Sequence, residues 1–292
     1  MNDIFIREVQ GWDEMARIEE LQRLIWTRDE REVMPGHVFH ALQYNGAALH
    51  GAYDGSTMVG FSLAVLATVE GLEHRIDQVA AARLKMYSVI AGVLPGYRDA
   101  GVGYRLKLAQ LEFAQRIGVR LITWTYDPLE SRNGRFNIGK LGAICHSYVR
   151  NFHGEMTGIN AGLETDRFDV EWWVTSNRVK GRTSKGRGAL SLDSLLSGGA
   201  LLVNEATFNV HGLPVPPPNY ISHPSNLMLV EIPDDFQRVK EEDFELAIRW
   251  REHTRTLFEN LFDSGFILTD FVRHEDSNGR QRSFYLLTFQ DA

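Results

Sequence analysis

Cysteine is almost missing from this sequence: its 292 residues contain one, Cys145, so neither an intrachain disulfide nor a cysteine-built metal site can form. Long apolar runs are missing as well, and residues 1–9 lack the basic and apolar regions of a signal peptide. We therefore expect a cytoplasmic protein without a membrane partner. Positive charge is in deficit, because 31 Lys and Arg residues face 38 Asp and Glu residues and leave a formal charge of −7. This deficit argues against a nucleic-acid partner, since such proteins carry a basic excess to neutralise phosphates.

Two common phosphate-binding patterns are also missing. The sequence has neither the G-x-G-x-x-G of a Rossmann loop nor the G-x-x-x-x-G-K-[ST] of a P-loop. What it does have is the composition of an ordinary globular protein, 43% hydrophobic and 24% charged. A chain of this length can bury a large core in one or two domains.

One stretch combines the signals of a strand, a glycine loop and a helix. Residues 87–93 are β-branched, small or aromatic, which predicts a strand buried on both faces, and Pro95 ends it. Gly101 and Gly103 follow, and apolar residues then recur at mostly helical spacing until Gly118 closes the helix. A glycine loop at a helix start turns free backbone N–H groups and the positive end of the helix dipole towards one small volume. The stretch therefore predicts a phosphate site that needs no basic side chain.

The loop pattern resembles that of a known superfamily. Residues 93–103, V-x-P-x-Y-R-x-x-G-x-G, are similar to the pyrophosphate loop of the GNAT superfamily, the acyl-CoA-dependent N-acyltransferases, whose core pattern is [RQ]-x-x-G-x-[GA]. The resemblance, to a subfamily with a C-terminal extension, implies acetyl-CoA or another short acyl-CoA as co-substrate. The residues that it places on CoA are Ala91, Val93, Arg98, Asp99, Ala100, Gly101, Val102, Gly103 and Asn133.

The order of predicted elements also resembles the GNAT fold. A strand and two helices come first, and two strands that share the hairpin turn Asp54-Gly55 precede the central strand. After the loop helix, residues 121–126 form a β-rich run, so the strands on either side of this helix are expected to run parallel. The resemblance implies an α/β (α+β) fold whose mixed, mostly antiparallel sheet contains a splayed parallel strand pair. The pantetheine arm of CoA would lie in that gap, against residues 91–93.

Three regions follow from the signals along the chain. Residues 1–176 resemble a GNAT-like acyl-CoA-binding domain, in which residues 67–83 form a loop that could serve as a substrate lid. Residues 177–226 predict a loop-rich connection; we interpret its basic patch, residues 178–187, as a solvated loop rather than a grip on the 3′-phosphate of CoA. Residues 227–292 predict a C-terminal β-α-β-β part without a phosphate loop, which is either a degenerate second GNAT half or a family-specific extension of the first sheet.

The next GNAT element is present with two departures. Asn133 opens it, but nine residues before Gly142, where the family usually has eleven. Ile138 occupies the place where the family often has the tyrosine that protonates the departing thiolate. Tyr148 and Tyr126 are the candidate replacements for this acid. The alternative for each is half-buried packing, with a hydroxyl that is satisfied locally.

A general base is needed as well, because most alkyl amines are protonated at neutral pH. Many GNATs place a glutamate on or beside the central strand, where residues 85–88 of this chain contain no acid. Asp127 and Glu130, which follow the next strand, are the candidate bases, with the alternative that they cap a turn. The resemblance places the oxyanion on a backbone N–H that is freed by a bulge near residues 91–93.

The resemblance implies an enzyme, an acyl-CoA-dependent N-acetyltransferase that moves a short acyl group to a primary amine by direct attack on the thioester. The alternative is a catalytically weak GNAT-like module that binds acyl-CoA as a sensor or scaffold. We expect a small-molecule amine acceptor, an amino acid among the options, rather than a protein, and a homodimer stays open. No metal is expected, because His37 and His40 have no further ligands close in sequence, and Cys145 is interpreted as a small buried hydrophobe.

Overall fold

The computed structural model describes residues 4–26, 29–69, 84–154, 162–184, 188, 190–221 and 225–289. The chain divides into two compact units. The first contains the described residues up to Trp124 together with Trp173–Ser176, and the second contains those of 125–154, 162–172 and 177–289. From residue 70 onwards, the predicted lid lies outside the described residues.

The first unit carries the elements that lead up to the glycine loop and the helix after it. In chain order they are β1 (Phe5–Glu8), α1 (Gly11–Ile25), α2 (Gly36–Tyr44), β2 (Ala48–Asp54), β3 (Thr57–Thr68), β4 (Leu84–Val93), α3 (Val102–Arg116) and β5 (Leu121–Tyr126). The strands lie in the order β1-β2-β3-β4-β5, and neighbours are antiparallel except β4 and β5, which run parallel. The predicted order and the parallel pair are confirmed, and the sheet is mixed, as expected.

Helices cover both faces of this sheet, which fixes its register. One face packs against α1 and α2 in a cluster that includes Met15, Ile18 and Phe39. The other packs against the first turns of α3, where Val102 and Leu106 are buried. A slip of one residue would exchange the two sets of side chains, so burial on both sides holds the strands in place.

The parallel pair separates soon after it forms. In the described part of the chain, β4 and β5 are in register at Met86 with Ile122 and at Tyr87 with Thr123, and β4 then continues to Val93 without a further partner on β5. The prediction that β4 is buried on both faces is wrong, since Ala91 is exposed. In the described residues, the edge of β4 beyond Tyr87 is therefore not paired with β5.

The second unit contains the remaining elements. They are α4 (Ser131–Gly134), continued by a π-helical turn (Arg135–Lys140), β6 (Ile144–Val149), β7 (Arg167–Trp173), α5 (Asn177–Ser184), α6 (Leu192–Ser197), β8 (Leu201–Leu202), β9 (Thr207–Phe208), β10 (Pro214–Val215), β11 (Leu227–Ile232), α7 (Phe236–Glu242), α8 (Phe244–Asp263), β12 (Phe266–Glu275) and β13 (Gln281–Phe289). Its larger sheet has the order β7-β6-β12-β13-β11-β8. The C-terminal strands and the long helix were predicted, and α7 was missed.

The C-terminal strands extend the sheet that contains β6. β12 pairs antiparallel with β6 at Leu268 and Cys145, and β13 then pairs with β12 and with β11. Both interpretations of the C-terminal part stay predictions. The division of the sequence after residues 176 and 226 stays a prediction.

An aromatic cluster forms the core of the second unit. Phe168 of β7, Phe258 of α8 and Tyr285 of β13 are fully buried, and their ring centroids lie 4.8 to 5.6 Å apart with near-perpendicular planes. Such edge-to-face contacts add to the stabilisation from the buried area. Trp250 of α8 is also buried, and its Nε1 donates to the carbonyl of Pro214 at 2.7 Å.

The basic patch was interpreted as a solvated loop, and this is wrong for its described part. Asn177–Ser184 form α5. Arg178 Nε donates to the carbonyl of Gly142 at 2.9 Å, and Arg182 forms an ion pair with Asp270 at 2.8 Å while it is 8% exposed. These arginines therefore bind neighbouring elements of the protein. Residues 185–187 of the patch lie outside the described residues.

Two further kinds of feature are absent from the described ranges, a membrane-spanning helix and a metal cluster. None of the helices there combines the length and the apolarity needed to cross a membrane. No cluster of three or more His, Cys, Asp or Glu residues is placed to hold a metal ion. His37 and His40 are exposed, and Cys145 is buried, which raises the pKa of its thiol.

Candidate functional site

The glycine loop ends in a left-handed turn that starts α3. Gly101 is the residue before the first turn of α3, with φ 77°, and it contributes no side-chain cap. The first N–H groups of a helix have no partner inside the helix, so those of α3 are available at this end. Because α3 is 15 residues long, its dipole places partial positive charge at the same point. The loop can therefore bind an anion through its backbone.

The loop is open to solvent and anchored at both ends. Arg98, Asp99 and Ala100 are exposed, whereas Val102 is 1% exposed and packs beneath the start of α3. Before the loop, the Tyr97 hydroxyl donates to the Asp54 carboxylate at 2.9 Å.

Asp99 also has a left-handed backbone, with φ 64°, which non-glycine residues adopt at an energetic cost. Strain in an exposed loop that is held at both ends is a common feature of ligand sites. The loop at the predicted phosphate site is therefore exposed and contains two residues with a left-handed backbone, Asp99 and Gly101.

The strand before the loop has a position that only glycine can occupy. A Cβ at Gly92 would collide with the ring of Trp26, which caps the end of α1, and with the side chain of Ile25. Gly60 on β3 is similarly close to the Gly92 carbonyl, because a Cβ there would lie 2.8 Å from that oxygen. The face of β4 beside the exposed Ala91 is therefore packed against α1.

The central strand contains a bulge, two residues before the predicted position. Leu63 of β3 pairs with Ile90, and the next residue, Ala64, pairs with Ser88, so Val89 has no partner on β3. The prediction of a bulge near residues 91–93 is wrong in position. Bulges interrupt the hydrogen-bond ladder and free backbone groups, and they are frequent beside active sites.

A buried lysine beneath β4 was missed by the sequence analysis. Lys107 of α3 is 5% exposed; its Nζ donates to Ser88 Oγ at 2.9 Å and lies 3.6 Å from the ring centroid of Trp124. Burial lowers the pKa of Lys107 to about 7. The signal was present, since Lys107 lies four and seven residues before Leu111 and Ala114 and so falls on the buried stripe of α3.

The second unit holds both tyrosines that were named as candidate acids, and each has a local partner. The Tyr148 hydroxyl donates to Asp166 Oδ2 at 2.7 Å, and the Tyr126 hydroxyl lies 3.3 Å from that of Tyr285, which donates to the Pro128 carbonyl. Burial raises the pKa of Tyr148 and of Tyr126. Tyr148 lies on β6.

The two candidate bases differ in their environment. Asp127 accepts two hydrogen bonds from Arg251, at 2.9 and 2.6 Å, and one from the Leu129 N–H. Burial acts to raise the pKa of Asp127, but Arg251 and Arg167 outweigh it and hold the pKa below the usual range. The Leu129 contact confirms the alternative that Asp127 caps a turn. Asp127 is thus an ionised structural group with its oxygens occupied.

Glu130 has the opposite character. Burial, and next the negative charge of Asp127, raise the pKa of Glu130, although Gln237 Nε2 donates to its Oε1 at 2.5 Å. A carboxylate with a raised pKa is a stronger base than an ordinary one. Of the two candidates, Glu130 therefore has the protonation chemistry that a general base needs.

The element that was predicted to follow begins at α4. Asn133 is half-buried on α4, and Ile138 is fully buried in the π-helical turn that continues it. π-helical turns insert an extra residue into a helix and are frequent at functional sites. A helical element starts here; the role of Asn133 in CoA binding stays a prediction.

Comparisons with known proteins add structural likeness at low identity. No family profile matches the chain, and no curated protein matches it. The chain is similar to NAA60 of Arabidopsis thaliana in complex with acetyl-CoA, at 16% identity and a TM-score of 0.49, over 60% of this chain and 100% of that chain. It is similar to the ribosomal-protein-S18-alanine N-acetyltransferase from Escherichia coli, at 12% identity and a TM-score of 0.45, over 60% and 96% of the two chains. A third structure, YncA of Salmonella typhimurium with acetyl-CoA, has 12% identity and a TM-score of 0.45 over 65% and 99%.

Proposed function

We propose that the protein is an acyl-CoA-dependent N-acyltransferase that moves an acetyl or other short acyl group to a primary amine. One observation carries this proposal: an exposed, uncapped glycine turn at the start of α3 follows a strand that has lost its parallel partner. The turn suits a pyrophosphate, and the uncovered part of β4 suits an extended amide chain that can pair with a strand. CoA has both groups in one molecule.

Within this proposal the loop and β4 divide the work of binding. The backbone N–H groups of residues 101–103 hold the pyrophosphate, and the exposed segment that begins at Ala91 pairs with the pantetheine arm. Arg98 is exposed beside the loop and adds positive charge there. Asn133 is proposed as a further CoA contact on the strength of the resemblance alone.

The reaction is attack of a neutral amine on the thioester carbonyl. The carbonyl oxygen becomes negative in the tetrahedral intermediate, and the proposed donor to it is a backbone N–H at the Val89 bulge, where the pairing with β3 is interrupted. The C–S bond then breaks and the thiolate leaves. We assign the base to Glu130, because burial and the charge of Asp127 raise its pKa, and a carboxylate with a raised pKa binds a proton more readily. We assign protonation of the thiolate to solvent or to the incoming ammonium, because the hydroxyls of Tyr148 and Tyr126 are already engaged.

Calorimetric titration with CoA tests the loop, and the helix itself provides a matched control. Gly101 and Gly118 lie at opposite ends of α3, both have φ 77°, and a Cβ at either would meet open space. Replacing either glycine by alanine therefore costs a similar backbone strain, about 1–2 kcal/mol. We expect Gly101→Ala to weaken CoA binding by at least about tenfold, because the methyl group enters the volume of the pyrophosphate, and Gly118→Ala to leave it unchanged. Equal affinity in both variants would remove the loop from the proposal.

Release of free CoA thiol from acetyl-CoA tests turnover. A panel of amines that contains amino acids, polyamines and peptide amino termini should stimulate thiol release with at least one acceptor. We propose a small-molecule amine as that acceptor. Tight CoA binding without thiol release for any amine would instead support an acyl-CoA sensor or scaffold.

A further inference from the structure

A lysine lies beneath the central strand at the point where the strand bulges. Lys107 Nζ donates to Ser88 Oγ at 2.9 Å, and Ser88 directly precedes the bulged residue Val89. Backbone geometry places the Val89 amide nitrogen within roughly 7 Å of this Nζ. The lysine therefore approaches β4 from the side of α3, at the residue that we propose as the neighbour of the developing oxyanion.

Two uncharged side chains contact this lysine in the described part of the chain. β4 presents Ser88 and β5 presents Trp124, whose ring centroid is 3.6 Å from Nζ. The ionisable residues of β4, Lys85 and Tyr87, alternate with Ser88 and project from the opposite face. An indole face attracts an ammonium group, whereas burial favours the neutral amine. When Lys107 is protonated, its ammonium group is stabilised by the Ser88 hydroxyl and the Trp124 ring.

Two other ionisable side chains belong to the layer between α3 and the sheet. His50 of β2 packs its ring against the ring of Phe113, with the ring centroids 6.3 Å apart. Burial is the main cause that lowers the pKa of His50. Tyr104 of α3 has a raised pKa for the same reason, burial. Burial is also what lowers the pKa of Lys107, so neither His50 nor Tyr104 determines whether the lysine is charged.

We infer that Lys107 is a positioning residue for acyl transfer: through Ser88 it fixes the Val89 bulge, and its ammonium group adds positive charge beneath the point where the thioester oxygen becomes negative. The inference rests on the proposed function. A charge at this range acts through the protein interior, where the dielectric constant is low, and so stabilises an oxyanion more than the neutral ground state. The lysine lies on the face of β4 that α3 covers, so it acts on the reaction through the strand.

The test compares kcat of the parent protein and of Lys107→Met across pH, at saturating acetyl-CoA and amine. Methionine keeps the length and apolar character of the side chain without the ammonium group. We expect kcat of the variant to be roughly tenfold lower at about pH 6, since losing a direct oxyanion donor costs about 10²- to 10³-fold and this group acts at longer range. The KM for acetyl-CoA should change less than about twofold, because the ground state gains little from the charge.

The pH dependence separates this role from simple packing. The ratio of the parent kcat to the variant kcat cancels the titration of the amine, and it should fall towards one as pH rises to about 9 and Lys107 loses its proton. A ratio that stays constant with pH would overturn the inference and leave a structural role. Ser88→Ala provides a second variant, which keeps the charge but removes its hydrogen-bond acceptor; a kcat reduction smaller than that of Lys107→Met is expected, and no reduction would overturn the link through Ser88.

Failure of the proposed function gives a different result. A parent protein that releases no thiol with any amine would overturn both proposals. A parent protein that turns over, with an unchanged pH profile in Lys107→Met, would overturn only the role of the lysine.

Discussion

Asp127 and Glu130 show how far side-chain chemistry depends on partners that are distant in sequence. The sequence placed both acids after the same strand and could not separate them. Arg251, which holds Asp127 ionised, lies 124 residues further along the chain. Gln237, which contacts Glu130, lies 107 residues away. Local patterns identify candidates, whereas the protonation state of each candidate follows from tertiary contacts.

Tyr148 provides a prediction at the scale of one hydroxyl. Tyr148→Phe removes the donor to Asp166, which still accepts from Arg255 and from the Asn151 N–H. We expect the free energy of unfolding to fall by about 1 kcal/mol, the usual contribution of one hydrogen bond, in denaturant titration. Turnover per folded molecule should change less than about twofold, because burial raises the pKa of Tyr148 and makes it a weaker acid.

Tyr126→Phe is the parallel variant. It removes the buried Tyr126 hydroxyl and with it the contact with the Tyr285 hydroxyl. A loss of roughly 10²- to 10⁴-fold in turnover with CoA binding intact, in either variant, would identify that tyrosine as the acid after all.

Among the elements, those with strong local signals were predicted best. β5 has the predicted bounds, and α3 runs from the glycine loop towards Gly118, which has φ 77°. Their boundaries are marked by glycine, proline or a change of periodicity. The helix α5 was missed because its polar sequence has a weak apolar stripe, and it is held by the contacts of its arginines. Tertiary contacts override weak local preference there.

α3 covers a polar layer at the sheet, which contains Gln110 beside the buried Lys107. Gln110 of α3 is fully buried, and its amide atoms have no hydrogen-bond partner in the described part of the chain. His50 on β2 pairs in register with Ser62 on β3. His50 Nδ1 and Ser62 Oγ are also buried without a hydrogen-bond partner in the described part of the chain. Unpaired buried polar atoms cost free energy, so this layer lowers the stability of the first unit.

Lys107 should make stability depend on pH through this layer. Burial lowers its pKa in the folded protein from 10.5 to about 7. Between these pH values the unfolded chain binds a proton that the folded chain releases, so stability rises with pH from about 7 to about 10.5 and the full penalty is present below about 7. Lys107→Met removes this penalty. We expect it to raise the free energy of unfolding by up to roughly 5 kcal/mol at and below about pH 7, less the value of the lost hydrogen bond.

Denaturant titrations of both proteins at several pH values measure this effect. The difference between variant and parent should shrink as pH approaches about 10, where the lysine is neutral in both states. A difference that is the same at every pH would show that Lys107 contributes through packing alone.

At the scale of the whole molecule, the two units present different helix starts to an anion. α3 of the first unit begins at Gly101, without a side-chain cap. In the second unit, α8 is capped by the Asp243 carboxylate, which accepts from the Leu246 N–H at 2.9 Å, and α7 is capped by Asp235 in the same way. A carboxylate at these positions occupies the N–H groups and repels a phosphate.

One CoA should therefore bind per chain. The loop that begins α3 suits a pyrophosphate, whereas the starts of α7 and α8 are blocked by their own acids, and residues 227–292 contain no phosphate-loop pattern. Calorimetry on the full chain should give a stoichiometry close to one, and the Gly101→Ala variant should lower the affinity of that single site. Gly118→Ala is the control, because it changes the other end of the same helix. Two CoA molecules per chain, or a second site that survives Gly101→Ala, would show that the C-terminal part binds CoA by a means other than a helix start.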